Sequence, residues 1–128
     1  MKIDDNVKLF LAIASFMMAL AVAIGAFGAH GLKAMVEPSM LDTYNTGVEY
    51  HFYNTLGLFA ISFIIYLKPD CKKLIVSAWL VLIGTLIFSF SLYFLVVLNM
   101  PFLGAITPIG GTLLIIAWLM VSYSIYKN

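Results

Sequence analysis

The second long apolar run of the chain opens with three side chains that could do chemistry. Glu49, His51 and Asn54 place a carboxylate, an imidazole and an amide within six residues. Such groups could hold a proton, a metal ion or a polar ligand. On a helix, however, His51 lies about 200° from Glu49, so one helix cannot direct both at the same ligand. His51 instead shares its face with Tyr44 and Thr55.

The free-energy cost of burying the charge of Glu49 depends on its depth in the membrane. It precedes Leu67 by 18 residues, or about 27 Å along a helix. If Lys68 marks the inner boundary, Glu49 lies near the outer hydrocarbon edge, where burial costs less than the roughly 2.5–3.5 kcal/mol at a helix centre. We therefore expect an interfacial carboxylate that is solvated, or paired with Lys33 or with the backbone donors that open the last helix. The alternative is a functional acid.

Asn54 lies about 7 Å deeper than Glu49 along the same helix. An amide at that depth predicts a hydrogen bond between helices, with Ser91 or Thr112 as the expected partner. Such bonds contribute roughly 0.6 kcal/mol in membranes. The alternative is a ligand-binding role.

The remaining reactive side chains form no pattern typical of a catalytic or metal site. A metal site would need His30, Glu37 or Asp42 to fold in beside the other groups, and no ligand spacing supports that. Cys71 has no histidine on its side of the membrane to act as a base. We predict no catalytic residue, no metal and no cofactor. A net charge of +1 gives no general attraction to nucleic acid.

The elements that must position these groups follow from composition. Of 128 residues, 63% are hydrophobic and only 10% are charged, which indicates lipid as the solvent. The first apolar run, Leu9–Ala29, has 21 residues, more than the roughly 7–15 of a signal core, so we expect a first span. The sequence predicts one all-α domain, residues 1–128, an integral membrane bundle of four antiparallel helices, with spans near 7–29, 44–67, 74–98 and 107–126.

Lysine placement predicts the orientation. With four spans, one side of the membrane carries six lysines and the other only Lys33. By the positive-inside rule the lysine-rich side is cytoplasmic. We therefore expect a multi-pass protein of the plasma (inner) membrane with both termini in the cytoplasm. The six are Lys2, Lys8, Lys68, Lys72, Lys73 and Lys127.

Small residues predict where helices pack closely. Gly25 and Gly28 are in the first span, and Gly84 and Ser91 share a face of the third. Small residues let membrane helices approach each other. The last helix should begin with Thr107 as N-cap and proline at its first position. Gly110 and Gly111 follow and leave room for either a ligand or close packing against the first helix.

Three segments together resemble the Domain of Unknown Function 423 family. They are Gly25–Leu32, the Thr46-Gly47-x-Glu49-Tyr50 motif and Ile106–Gly111. The segment Phe88-Ser89-x-Ser91-Leu92-Tyr93 also resembles a family pattern. The resemblance covers nearly the whole chain. It implies a small four-span inner-membrane protein of a family that is mainly bacterial with eukaryotic relatives, and it implies no particular biochemical activity.

The chain departs from the family pattern at two positions. The family usually has histidine four residues after the tyrosine of the Glu-Tyr pair, where this chain has Asn54, and glycine where it has Phe90. An amide neither titrates nor ligates metals well, which argues against a proton relay or metal site at Asn54.

The polar and signature residues all belong to the outer ends of helices. We therefore predict a non-enzymatic membrane protein, self-associating through small-residue faces, with a pocket for a small ligand or lipid at the outer ends of helices 1, 2 and 4. The alternative is a minimal oligomeric transporter or channel for a small solute or ion. Expected partners are membrane lipids and further copies of the chain. The pocket residues are His30, Glu49, Tyr50, Asn54, Thr107, Gly110 and Gly111.

Overall fold

The structure, a computed structural model, describes residues 2–127 and consists of four long helices. By length and composition each can cross a membrane. This confirms the predicted all-α membrane bundle. Short 3-10 segments, Leu32–Ala34 and Pro101–Ala105, lie in the two turns of one end. The helices are α1 (Asp5–Ala29), α2 (Pro38–Leu67), α3 (Lys72–Val97) and α4 (Thr107–Lys127).

Local sequence signals set the helix ends. Asp4 caps α1, its Oδ1 accepting a hydrogen bond of 2.8 Å from the Asn6 backbone nitrogen. Pro38 occupies the first turn of α2, where its missing N–H leaves no bond unmade. Asn99, just after α3, has φ 51°. The amide of Met100 can then bond the Leu95 carbonyl at 3.0 Å, which closes the helix end.

Helix α2 runs without interruption from Pro38 to Leu67. It does not break at Gly47. Gly47 is buried against α3 instead: a Cβ added there would lie 3.1 Å from the Ser89 carbonyl oxygen. The glycine therefore serves close packing rather than bending.

Helices α2 and α3 form the centre of the bundle, with α1 packed mainly on α2 and α4 mainly on α3. Side chains also connect α1 with α3, the central helix on which α1 packs less. The Phe10 and Trp79 rings, from α1 and α3, meet edge to face at 5.1 Å. The half of the bundle nearer the two chain termini holds one apolar core from all four helices, including Phe10, Ala14, Leu58, Ile61, Leu74, Ala78, Leu114 and Ala117.

The surface is as apolar as the interior. Phe16 on α1 and Leu119 on α4 are each 65% exposed. In water such a surface would aggregate, whereas in a bilayer it faces hydrocarbon. Because burial gains little when lipid is as apolar as the core, helix contacts must be held by close packing and hydrogen bonds.

Candidate functional site

The structure brings only some of the predicted site residues together. His30 is exposed at the end of α1, and its Nδ1 lies 2.9 Å from the Ala26 carbonyl oxygen of its own helix. Glu49 is also exposed, on the surface of α2. Within residues 2–127, no three His, Cys, Asp or Glu side chains are grouped to hold a metal ion.

A groove opens instead between α2, α3 and α4, with a volume of about 890 Å³. Its lining differs from that predicted for a pocket at the outer ends of helices 1, 2 and 4, because α3 contributes to it and α1 has no lining residue. Of the predicted residues, Tyr50, Asn54 and Gly111 line it. The other lining residues are Tyr53, Gly57, Phe88, Leu114, Ile115, Trp118 and Leu119.

One polar network lies in the groove wall. Trp118 Nε1 donates to Asn54 Oδ1 across α2 and α4 at 2.9 Å, and Asn54 Nδ2 donates to the Tyr50 carbonyl at 2.9 Å. The interhelical bond of Asn54 therefore exists, but the expected partners, Ser91 and Thr112, were wrong. The indole lies directly against Gly57, and a Cβ added there would collide with its six-membered ring.

Aromatic rings form the end of the groove nearer the turn between α3 and α4. The Tyr50 ring meets Phe88 edge to face at 5.0 Å and Tyr53 at 5.7 Å. Tyr50 and Tyr53 are also substantially exposed. Tyrosines with an apolar ring and a polar hydroxyl suit the membrane–water boundary. Glu49 lies one helical turn before Tyr53 on the same exposed face of α2.

Gly110 holds α4 against α3, not against α1 as expected. A Cβ added there would lie 2.8 Å from the Gly84 carbonyl oxygen and closer still to the Phe88 backbone nitrogen. Beside this contact the hydroxyls of Ser91 and Thr107 are 2.6 Å apart. Thr107 also donates to the Leu103 carbonyl. Its hydroxyl therefore links helices rather than capping α4 in the predicted way.

The first-span glycines face α2. A Cβ at Gly28 would lie 2.5 Å from Tyr44 Cε1, and one at Gly25 would lie 3.3 Å from Val48 Cγ1. The Tyr44 hydroxyl donates to the Ile24 carbonyl at 2.6 Å. The tyrosine ring is thus seated on the glycine and anchored beside it.

Sequence reasoning missed a buried pair between α2 and α3. His51 is 0% exposed, and its Nδ1 lies 2.8 Å from the Tyr93 hydroxyl. Tyr44 packs on the same tyrosine, with ring centroids 5.3 Å apart. The helical phase shared by His51 and Tyr44 signalled this inward face. Nothing in the sequence identified Tyr93 as the facing residue.

Four long helices with an apolar outer surface define a multi-pass integral membrane protein. Residues 24–111, more than half of the chain, match the family described as "Protein of unknown function (DUF423)". The chain belongs to this family, as the resemblance of its three motif segments indicated.

Relatives along nearly the full length carry names of membrane proteins. The UPF0382 membrane protein YwdK of Bacillus subtilis (strain 168) is 40% identical over 120 residues, covering 94% of this chain and 98% of that protein. A UPF0382 membrane protein of Haemophilus influenzae is 36% identical over 119 residues, covering 93% and 94%. No solved structure matches the chain significantly.

Proposed function

We propose that this protein is a non-enzymatic component of the plasma membrane that binds the acyl chain of a membrane lipid in the groove between α2, α3 and α4. The single observation that carries the proposal is the groove itself. It holds about 890 Å³ and lies between helices that face lipid. That volume is within the range of ligand-binding pockets.

The lining favours a lipid over a polar solute. Most of it is aliphatic or aromatic, and the Trp118 indole N–H is already bonded to Asn54. An acyl chain needs no further hydrogen bond, whereas a polar solute in hydrocarbon would need several. The groove extends about 12 Å along α4 from Gly111 to Leu119. This length suits part of one acyl chain.

The orientation belongs to the same proposal. Six lysines flank the ends of the helices on one side, which supports cytoplasmic termini. The groove then opens to the outer leaflet, with Tyr50 and Tyr53 toward the headgroups. Their hydroxyls and the Glu49 carboxylate are the groups nearest a bound headgroup.

Photo-crosslinking tests the proposal. The protein is placed in nanodiscs that contain a phospholipid with a diazirine near the end of its acyl chain, irradiated, and mapped by mass spectrometry. Gly111→Leu should fill the groove, since a Cβ at Gly111 meets only ordinary contacts with Phe88. We expect it to reduce labelling of Trp118 and Leu119 severalfold.

The matched control is Ala19→Leu, which enlarges an exposed residue of α1, away from the groove. Its labelling should equal that of the unchanged chain. Equal labelling in Gly111→Leu and Ala19→Leu would refute lipid binding in the groove. Crosslinked dimers that Gly111→Leu abolishes would show that a second copy occupies it.

A minimal transporter is the second candidate, and the buried His51–Tyr93 pair favours it. A histidine within a membrane span is typical of proton and solute pathways. If the protein transports protons or small cations, proteoliposomes should show a flux that His51→Phe abolishes. A flux equal to that of protein-free liposomes would count against transport of these ions.

A further inference from the structure

Glu49 is an exposed carboxylate on α2, next in sequence to a residue that lines the groove between α2, α3 and α4. Within residues 2–127 its side chain forms no hydrogen bond and no ion pair. Neither Lys33 nor the backbone at the start of α4 pairs with it there, although the sequence allowed both. A charge near the edge of hydrocarbon is stabilised by water or by an opposite charge. The carboxylate can therefore accept a cation from outside the protein.

Helical spacing connects Glu49 with the groove. Glu49 and Tyr53 are four residues apart on α2, so their side chains are neighbours on one face. The Tyr53 ring meets the Tyr50 ring edge to face at 5.7 Å, and both tyrosines line the groove. Side chains on a helix lean toward its N-terminus, which directs the Tyr53 ring toward the turn that carries Glu49. The carboxylate thus lies just beyond the tyrosine end of the groove.

The helices around this end of the groove carry no lysine. Helix α2 has none between Pro38 and Leu67, and residues 74–126 include no charged residue. The lysines of α3 and α4 are at the opposite ends of those helices, at Lys72, Lys73 and Lys127. A headgroup at the tyrosine end would therefore meet one carboxylate and no basic side chain from these three helices. Such a charge distribution favours a headgroup with a positive charge over one that is only negative.

We infer that the groove selects a phospholipid with a primary amine in its headgroup, of the phosphatidylethanolamine class, whose ammonium group pairs with Glu49. This inference rests on the proposed binding of lipid in the groove. An ammonium group can donate three hydrogen bonds, and an ionised carboxylate only accepts them. The faces of the Tyr50 and Tyr53 rings also attract cations. Their hydroxyls, which have no hydrogen-bond partner within residues 2–127, can donate to the phosphate.

Photo-crosslinking with three probes tests the headgroup. The probes carry the same acyl-chain diazirine and differ only in having a phosphoethanolamine, phosphocholine or phosphoglycerol headgroup. Each is added in trace amount to nanodiscs of phosphatidylcholine, and labelling of Trp118 and Leu119 is measured by mass spectrometry. We expect the phosphatidylethanolamine probe to label these residues about threefold more than the phosphatidylglycerol probe, the size of effect expected of one exposed ion pair.

Two variants of Glu49 test the source of this preference. Glu49→Gln should abolish it, and Glu49→Lys should reverse it in favour of the phosphatidylglycerol probe. Both replace an exposed side chain, so the fold should be retained. Asp42→Asn is the matched control, because it removes another exposed carboxylate from the same face of α2, about 10 Å from Glu49 along the helix. It should leave the preference unchanged.

A preference that survives Glu49→Gln, or that Asp42→Asn removes equally, would overturn the inference. So would equal labelling by the phosphatidylethanolamine and phosphatidylcholine probes, because the quaternary ammonium has the same charge but no N–H to donate. Equal labelling by all three probes that Gly111→Leu abolishes would leave lipid binding intact and refute only the selection of the headgroup. Labelling that Gly111→Leu does not reduce would refute lipid binding in the groove itself.

Discussion

Helix α4 contacts α3 backbone to backbone, whereas α1 contacts α2 through a side chain. At Gly110 the nearest atoms of the neighbouring helix are the Phe88 nitrogen and the Gly84 carbonyl oxygen. At Gly28 the nearest atoms are those of the Tyr44 ring. Both glycines lack room for a methyl group, but what blocks the methyl group differs.

The difference lies in what can move. A side chain can rotate away from an added methyl group, and it then loses only its own contacts. Backbone atoms of a helix cannot move singly, so a methyl group between two backbones must separate the helices. A methyl group added to a glycine of the α3–α4 contact should therefore destabilise the protein most. In the α1–α2 contact the neighbouring side chain can move, so the loss should be smaller.

Gly110→Ala should have the largest effect on stability. Its methyl group would collide with the backbone of α3 at Phe88, and we expect a loss of about 3 kcal/mol, because overpacking outweighs the better helix propensity of alanine. The free energy of unfolding can be measured by titration with a denaturing detergent. Gly111→Ala is the adjacent control, since its methyl group would meet Phe88 side-chain atoms at 3.5 Å or more. Equal losses in the two variants would contradict a backbone-to-backbone contact.

Gly28→Ala should have a smaller effect, a loss of about 1–2 kcal/mol. The Tyr44 ring must shift, and its 2.6 Å hydrogen bond to the Ile24 carbonyl then lengthens or breaks. The same titration measures the loss. In a Tyr44→Leu background the added methyl group should be nearly harmless. If Gly28→Ala costs as much there as in the unchanged chain, the tyrosine ring is not what opposes the methyl group.

The membrane-spanning helices could be predicted from the sequence, whereas the pairs of residues that contact each other between helices mostly could not. Long apolar runs and Pro38 determine where helices can form, and these signals are local. In lipid, small residues favour close packing without specifying a partner, because every neighbouring helix is apolar. Gly110 was thus correctly read as small and wrongly assigned to α1.

The candidate site shows the same limit. Helical phase separated Glu49 from His51 correctly, since phase depends on one helix alone. The partners Trp118 and Tyr93 depend on how far α4 and α3 are rotated and shifted relative to α2. Close contacts such as that of Gly47 with Ser89 help to set this register, and they can be seen only once the bundle is assembled.

The smallest expected effects on stability come from removing the interhelical hydrogen bonds of the two contacts. Ser91 and Thr107 bond side chain to side chain across α3 and α4 at 2.6 Å. The Tyr44 hydroxyl instead bonds a backbone carbonyl of α1. We expect the coupling energy between Ser91→Ala and Thr107→Val to be about 0.6 kcal/mol, the average for interhelical bonds in a membrane.

Tyr44→Phe is the matching change in the other contact, and it should cost a similar amount because it too removes one interhelical bond. Since the backbone contact at Gly110 already fixes α3 and α4, the Ser91–Thr107 bond adds to an interface that stands without it. Combining Ser91→Ala with Gly110→Ala tests this dependence. If Ser91→Ala costs much more than about 0.6 kcal/mol in the Gly110→Ala background, the hydrogen bond and the glycine contact stabilise the interface interdependently. If its contribution vanishes, the hydroxyls reach each other only because Gly110 lets the backbones meet.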